Sequence, residues 1–225
     1  MQMVISRRAV RGGFLGAAMA GSLVLGATGC GGGDDEAGKA ADEAVGAERL
    51  CGGEAVSAEA GKALKVITGS SRFEDDESTV VRAVQALSER FASSATGDGE
   101  VCRVYPTTGT SDDDLRITWQ LSGSAPVDDP APKFTVLKMG ERALAATDGA
   151  YLRFACRSGE LPGSAPARID IGVERGGMPT EPEGDPEALK NAYATVAHSF
   201  SLAMAKELDC ENDGGLEARP SLDPA

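Results

Sequence analysis

DLRITWQLS, residues 114–122, alternates without a break. Leu115, Ile117, Trp119 and Leu121 fall on one side, and Arg116, Thr118 and Gln120 on the other. A period of two over this length reads as a β-strand with one buried face and one face left to polar side chains. Such a strand needs paired neighbours along its edges and a covering layer over its apolar side. The flanking sequence supplies both.

Upstream, VCRVY (residues 101–105) is a shorter strand, joined to the first by a loop containing GTSDDD (residues 109–114), whose aspartates suit a turn. Downstream, a Pro- and Asp-containing loop over residues 123–132 leads to KFTVLKM (residues 133–139). ALAATDGAYLRFAC (residues 143–156) places Asp148-Gly149 between two extended runs, a hairpin signal. ARIDIGVER (residues 167–175) alternates again through Ile169, Ile171 and Val173. These make about six strands.

Helical periodicity brackets them. Ser57 caps an expected helix over residues 58–67, with Ala60, Ala63, Leu64 and Ile67 on one face and Gly69 as its stop. A second opens after FEDDES (residues 73–78), with Val80, Val84, Leu87 and Phe91 as its stripe. The acids Glu74, Asp75, Asp76 and Glu77 suit the positive end of that helix better than a calcium loop, whose spacing is missing. The longest helix runs from Pro186 to Leu208 behind an Asp185 cap, with Leu189, Tyr193, Val196, Phe200, Ala203 and Met204 forming its apolar stripe. His198 projects opposite Leu189, so the wheel places it on a solvated surface. Helices and strands that do not alternate indicate an α+β fold: one antiparallel sheet with two N-terminal helices and a long C-terminal helix on one face. The expected globular domain spans residues 50–210, followed by a disordered tail over residues 211–225.

The start of the chain reads as an export signal. Arg7, Arg8 and Arg11 precede GGFLGAAMAGSLVLGATG (residues 12–29), which carries no charge. Ala27-Thr28-Gly29-Cys30 resembles the lipobox of bacterial lipoproteins, although Ala27 stands where that class usually has leucine. The resemblance implies a signal peptide over residues 1–29, a diacylglyceryl group on Cys30, and cleavage just before that residue. Ser6-Arg7-Arg8 with a glycine-rich apolar region is similar to twin-arginine signals, which export folded proteins; ordinary secretion remains the alternative. The Ala/Gly-rich, acidic chain with two pairs of cysteines resembles the secreted lipoproteins of actinobacteria. Residues 30–49 are small, polar and acidic, which suits a flexible tether. The expected location is the extracytoplasmic face of the cell membrane.

Composition limits the function. The formal net charge is −13, and removal of the signal's arginines makes it more negative, which argues against nucleic acid as a partner. Four cysteines follow Cys30, an even number that implies disulfides in an exported chain. Three pairings are possible. Strand parity and helix position favour Cys156–Cys210, since both thiols aim at the seam between sheet and helix, and this leaves Cys51–Cys102. There is no C-x-x-C pair and one histidine, so neither a metal site nor a cofactor is expected. No G-x-S-x-G, Walker or G-x-G-x-x-G pattern occurs, and Asp128-Asp129 lies in a loop with no second acid placed near it. No catalytic residue is assigned. Trp119 shares its face with aliphatic residues and reads as core. Tyr105 and Tyr151 fall on the uncovered side of the sheet and form the candidate contact surface. The sequence therefore points to a non-enzymatic binding, sensing or accessory domain for an envelope protein or small ligand. A cell-surface hydrolase is the alternative.

Overall fold

A computed structural model of the chain describes residues 44–108, 114–123, 129–177 and 183–225. The signal, Cys30, residues 30–43 of the expected tether, most of GTSDDD and Asp128 lie outside the described residues.

The 114–122 strand lies inside the sheet, second from one edge. Six antiparallel strands form one sheet in the order β1-β2-β6-β5-β4-β3. They are β1 (Gly97–Val104), β2 (Leu115–Ser122), β3 (Thr135–Leu137), β4 (Arg142–Ala145), β5 (Gly149–Cys156) and β6 (Ala167–Arg175). β2 pairs with β6 along its whole length, so Ile117, Trp119 and Leu121 face Val173, Ile171 and Ile169 in turn. β5 continues the same row, with Leu152 opposite Ile171 and Phe154 opposite Ile169. Each of these side chains is at most 2% exposed. The apolar half of every alternating pattern thus lands on one face, as a pleated strand requires.

Two strand details differ from expectation. β1 begins at Gly97, four residues early, because GDGE has no alternating signal of its own. The β4–β5 turn is centred on Thr147-Asp148, with the Ala146 N–H donating to the Gly149 carbonyl at 2.8 Å. Gly149 is instead the first strand residue; a Cβ there would lie 3.0 Å from the Val173 carbonyl oxygen.

Helix α1 is Ala58–Thr68, with Ser57 Oγ accepting from the Ala60 N–H at 3.1 Å and Gly69 closing it in the left-handed region. Helix α2 is Val80–Ser93, capped by Thr79, and its first turn carries no acid. The expectation that residues 74–77 charge its N-terminus is therefore corrected. Phe73 is fully buried and bridges Val45 and Pro106, Asp75 pairs with Arg49 at 3.6 Å, and Asp76 accepts from the Ser78 N–H.

Helix α3, Pro186–Glu207, starts as expected, with Asp185 accepting from the Ala188 N–H at 2.8 Å. It is buried around most of its circumference. Beyond the expected stripe, Ala194, Ala197, His198, Ser199 and Ser201 are also buried. The sheet lies on one side of α3 and α1 on another, so α1 packs on α3. Small side chains let the backbones approach, and Ser199 ties the layers by donating to the Ala55 carbonyl and accepting from the Ser57 N–H.

His198 is thus not on a solvated face: it is 4% exposed, and its Nε2 lies 3.0 Å from the Glu217 carbonyl. Its cover is the segment expected to be a disordered tail. Residues 211–215 form a 3-10 turn, Leu216 is buried, and Pro224 bridges Leu137. The Ala225 N–H donates to the Val136 carbonyl at 3.0 Å, so this strap pairs with edge strand β3. The other boundary moves as well: Ala44 and Val45 are buried, so the domain begins at least six residues before residue 50.

Both expected disulfides are present. Cys51–Cys102 joins the first 3-10 segment (Ala47–Gly52) to β1 with a Cα separation of 5.8 Å. Cys156–Cys210 joins the end of β5 to the strap at 5.0 Å.

Candidate functional site

The face of the sheet opposite α3 carries the polar half of each strand. Arg153 and Asp170 are register partners across β5 and β6, and the guanidinium meets both carboxylate oxygens at 2.8 Å. Ser122 donates to Asp170 and accepts from Arg153 at 3.1 Å. The ion pair is 12% and 16% exposed. A bidentate pair with a supporting hydroxyl satisfies itself. The middle of this face is therefore internally paired.

At the hairpin end the face changes character. Tyr151 lies opposite Gly172, where a Cβ would sit 3.2 Å from the tyrosine ring. The absent side chain lets the ring cross β6, and its hydroxyl donates to Glu174. Burial, and then Glu174, push the Tyr151 pKa well above its usual value. Phe134 packs edge-on against Tyr151, with ring centres 5.7 Å apart. Lys133 reaches back over the Phe134 ring at 5.0 Å and meets Asp148 Oδ2 at 2.7 Å. From α3, Tyr193 closes the inner side. It is 2% exposed, and burial, supported by Asp148 and opposed by Arg175, pushes its pKa up to about 12.

Together these residues wall a cavity of about 210 Å³, with Glu174, Glu183 and Leu189 completing its rim. Asp148 Oδ1 is enclosed and has no hydrogen-bond donor. Tyr193 makes no hydrogen bond among the described residues. The cavity therefore combines three aromatic rings with the charged side chains of Lys133, Asp148, Glu174, Arg175 and Glu183. Pockets for small molecules have this mix of apolar lining and a few polar groups.

No family model matches the chain, and no curated protein or solved structure is significantly similar to it.

Of the two expected contact residues, Tyr151 belongs to this site and Tyr105 does not. Tyr105 follows β1, with its carbonyl accepting from the Glu74 N–H at 2.9 Å. Three strand spacings, about 14 Å, separate it from Tyr151 across the sheet. Asp148, Phe134, Glu174 and Tyr193 were not legible as site residues. Asp148 carried a turn signal, Phe134 and Glu174 lay in strand runs, and Tyr193 belonged to a core stripe. Trp119 is core, 2% exposed.

His198 lines a separate cavity of about 170 Å³ with Lys138, Leu216, Glu217, Arg219 and Ser221. Burial lowers its pKa, opposed by the Glu217 carbonyl. Ser221 shares the cavity, but no hydrogen bond joins it to the imidazole. Among the described residues no group of three metal-ligating side chains is assembled, and no helix is long and apolar enough to cross a membrane.

Proposed function

We propose that this chain is a lipid-anchored extracytoplasmic protein whose folded domain binds a small ligand and performs no chemistry on it. The cysteine pairing carries this reading. Cys51–Cys102 and Cys156–Cys210 use all four domain cysteines. Intrachain bridges of this kind belong to oxidising compartments. The fifth cysteine is Cys30, in the lipobox-like Ala27-Thr28-Gly29-Cys30. A diacylglyceryl group there supplies two acyl chains, the number that stable anchoring takes. The folded domain begins by residue 44, so a short acidic stretch separates Cys30 from it in the sequence. The twin-arginine-like Arg7-Arg8 would deliver the domain already folded.

The binding half of the proposal rests on the hairpin-end cavity. A hydrolase of the serine or cysteine type requires an oriented base beside a nucleophile. His198, the one histidine, is enclosed beneath the strap and directed at a backbone carbonyl. This weighs toward binding.

The anchor is tested by metabolic labelling with palmitate, followed by cell fractionation of wild type and Cys30→Ser. The expected variant is unlabelled, is not cut before residue 30, and is released or mislocalised. A variant that stays in membranes and is cut at the same place refutes the anchor.

A further inference from the structure

We infer that the hairpin-end cavity takes a compact, uncharged ring compound that carries a hydroxyl group. The inference rests on the binding reading above and names its ligand class.

Tyr193 decides the polar contact. It is 2% exposed, and its hydroxyl makes no hydrogen bond among the described residues. That hydroxyl is not closed off as Asp148 Oδ1 is, so the small surface that Tyr193 keeps belongs to the cavity it lines. With a pKa pushed up to about 12, the hydroxyl stays protonated, so it both donates and accepts. Thr147 lines the same cavity, and its hydroxyl likewise has no partner among the described residues. A ligand hydroxyl donates and accepts, and so matches both groups in either direction. An ammonium only donates, and a carboxylate only accepts.

The charges of the wall are already engaged. Lys133 Nζ meets Asp148 Oδ2 at 2.7 Å, the Tyr151 hydroxyl donates to Glu174, and Arg175 is engaged as well. Glu183 is exposed at the rim, where water screens it. A charged ligand would give up its hydration without meeting a free counter-charge inside, which is costly. The rest of the lining is apolar: the edge-on rings of Phe134 and Tyr151, with Ile67 and Leu189. Size selects further. The cavity of about 210 Å³ exceeds the apolar cavity of about 150 Å³ that holds benzene. It falls below the range of about 300–1,000 Å³ typical of drug-sized ligands. One ring with a short polar arm fills it.

Four one-ring probes separate the classes: benzyl alcohol, toluene, benzylammonium and benzoate. Each is titrated into the purified full chain and followed by calorimetry and ligand-observed NMR. Benzyl alcohol is expected to bind more tightly than either charged probe. Tyr193→Phe keeps the ring and removes only the unpartnered hydroxyl, so the circular dichroism spectrum and the urea midpoint should hold. This variant should weaken benzyl alcohol about fivefold and leave toluene unchanged, since toluene makes no hydrogen bond to lose. Tighter binding of a charged probe overturns the uncharged assignment and leaves the cavity as a binding site. Equal loss of both neutral probes in Tyr193→Phe, or loss of neither, overturns the hydroxyl contact. Absence of binding by all four at millimolar concentration overturns both the assignment and the cavity, while the Cys30 experiment judges the anchor separately.

Discussion

Gly99 faces Trp119 directly in the β1–β2 register. A Cβ added at Gly99 would fall 2.6 Å from the indole Cε2 and Cζ2 and 2.7 Å from Nε1. The indole is 2% exposed and is packed in the core cluster, so it has nowhere to retreat. Gly99→Ala must displace either the ring or the strand. Extra methylene groups in a filled core cost about 1–3 kcal/mol. Replacing glycine within a strand returns about 0.5–1 kcal/mol of backbone entropy. The clash outweighs the gain, and the net loss is up to about 2.5 kcal/mol. Gly97 is the internal control. A Cβ there meets the Cγ and Cδ of Arg90, at 2.5 and 2.7 Å, on an exposed side chain that can swing away. Gly97→Ala keeps the entropic gain and should stabilise by about 0.5–1 kcal/mol. Urea unfolding followed by fluorescence of Trp119, the single tryptophan, reads both. At a slope of about 2 kcal/mol/M, each kcal/mol moves the midpoint by about 0.5 M. Gly99→Ala should also shift the native emission. The reasoning is refuted if Gly97→Ala is the more damaging change, or if Gly99→Ala leaves both midpoint and emission unmoved.

Burial of His198 lowers its pKa in the folded state, so the unfolded chain takes up a proton that the folded chain resists. Stability is then fully present above the unfolded value of about 6.5 and is lost as pH falls through the lower folded value. Glu217, Lys138 and Arg219 line the same cavity, so His198→Gln isolates the imidazole: its urea midpoint should fall less than wild type between about pH 7.5 and pH 5, and parallel falls would sink the assignment. Converting Cys156 and Cys210 together to alanine opens a loop of sequence separation 54 and should cost about 4 kcal/mol by the chain-entropy relation. Non-reducing peptide mapping checks the pairing itself, and a peptide joining Cys51 to Cys156 or Cys210 contradicts it.

The sheet was legible because its strands alternate cleanly. β2 and β6 carry uninterrupted period-two patterns, and their burial follows the pattern side by side. Caps were legible for the same reason: Ser57 and Asp185 are residue types whose side-chain oxygens fill helix N-termini. The surroundings of α3 were not. A helical wheel finds one stripe of large apolar residues, but α3 is packed by both the sheet and α1, and Ala194, Ala197 and Ser201 are buried as well. The strap closes over the same helix at His198, which was therefore assigned to the wrong environment. The strap was hidden by its composition. ENDGG reads as loop, yet Asn212, Asp213 and Gly214 adopt successive left-handed conformations, φ 52, 51 and 67°. The turn they make places Gly214 against Phe154, where a Cβ would come within 2.6 Å of the ring. The candidate site was legible at Tyr151 alone. Its other walls come from the β4–β5 turn, the end of β6 and the start of α3, and only the folded chain brings these together.

The position of α3 in chain order has a consequence for synthesis. All six strands leave the ribosome before the helix that covers β4, β5 and β6. A nascent chain that has reached β6 therefore carries an apolar slab, including Leu152, Phe154, Ile169 and Ile171, with α2 near β1 as its early shelter. Exposed apolar surface and unpaired strand edges are what make incomplete chains associate. Completion of α3 and the strap ends that interval by covering the slab and occupying the β3 edge. Arresting the chain when residue 175 has just emerged from the ribosome should thus hold it at its most chaperone-dependent point.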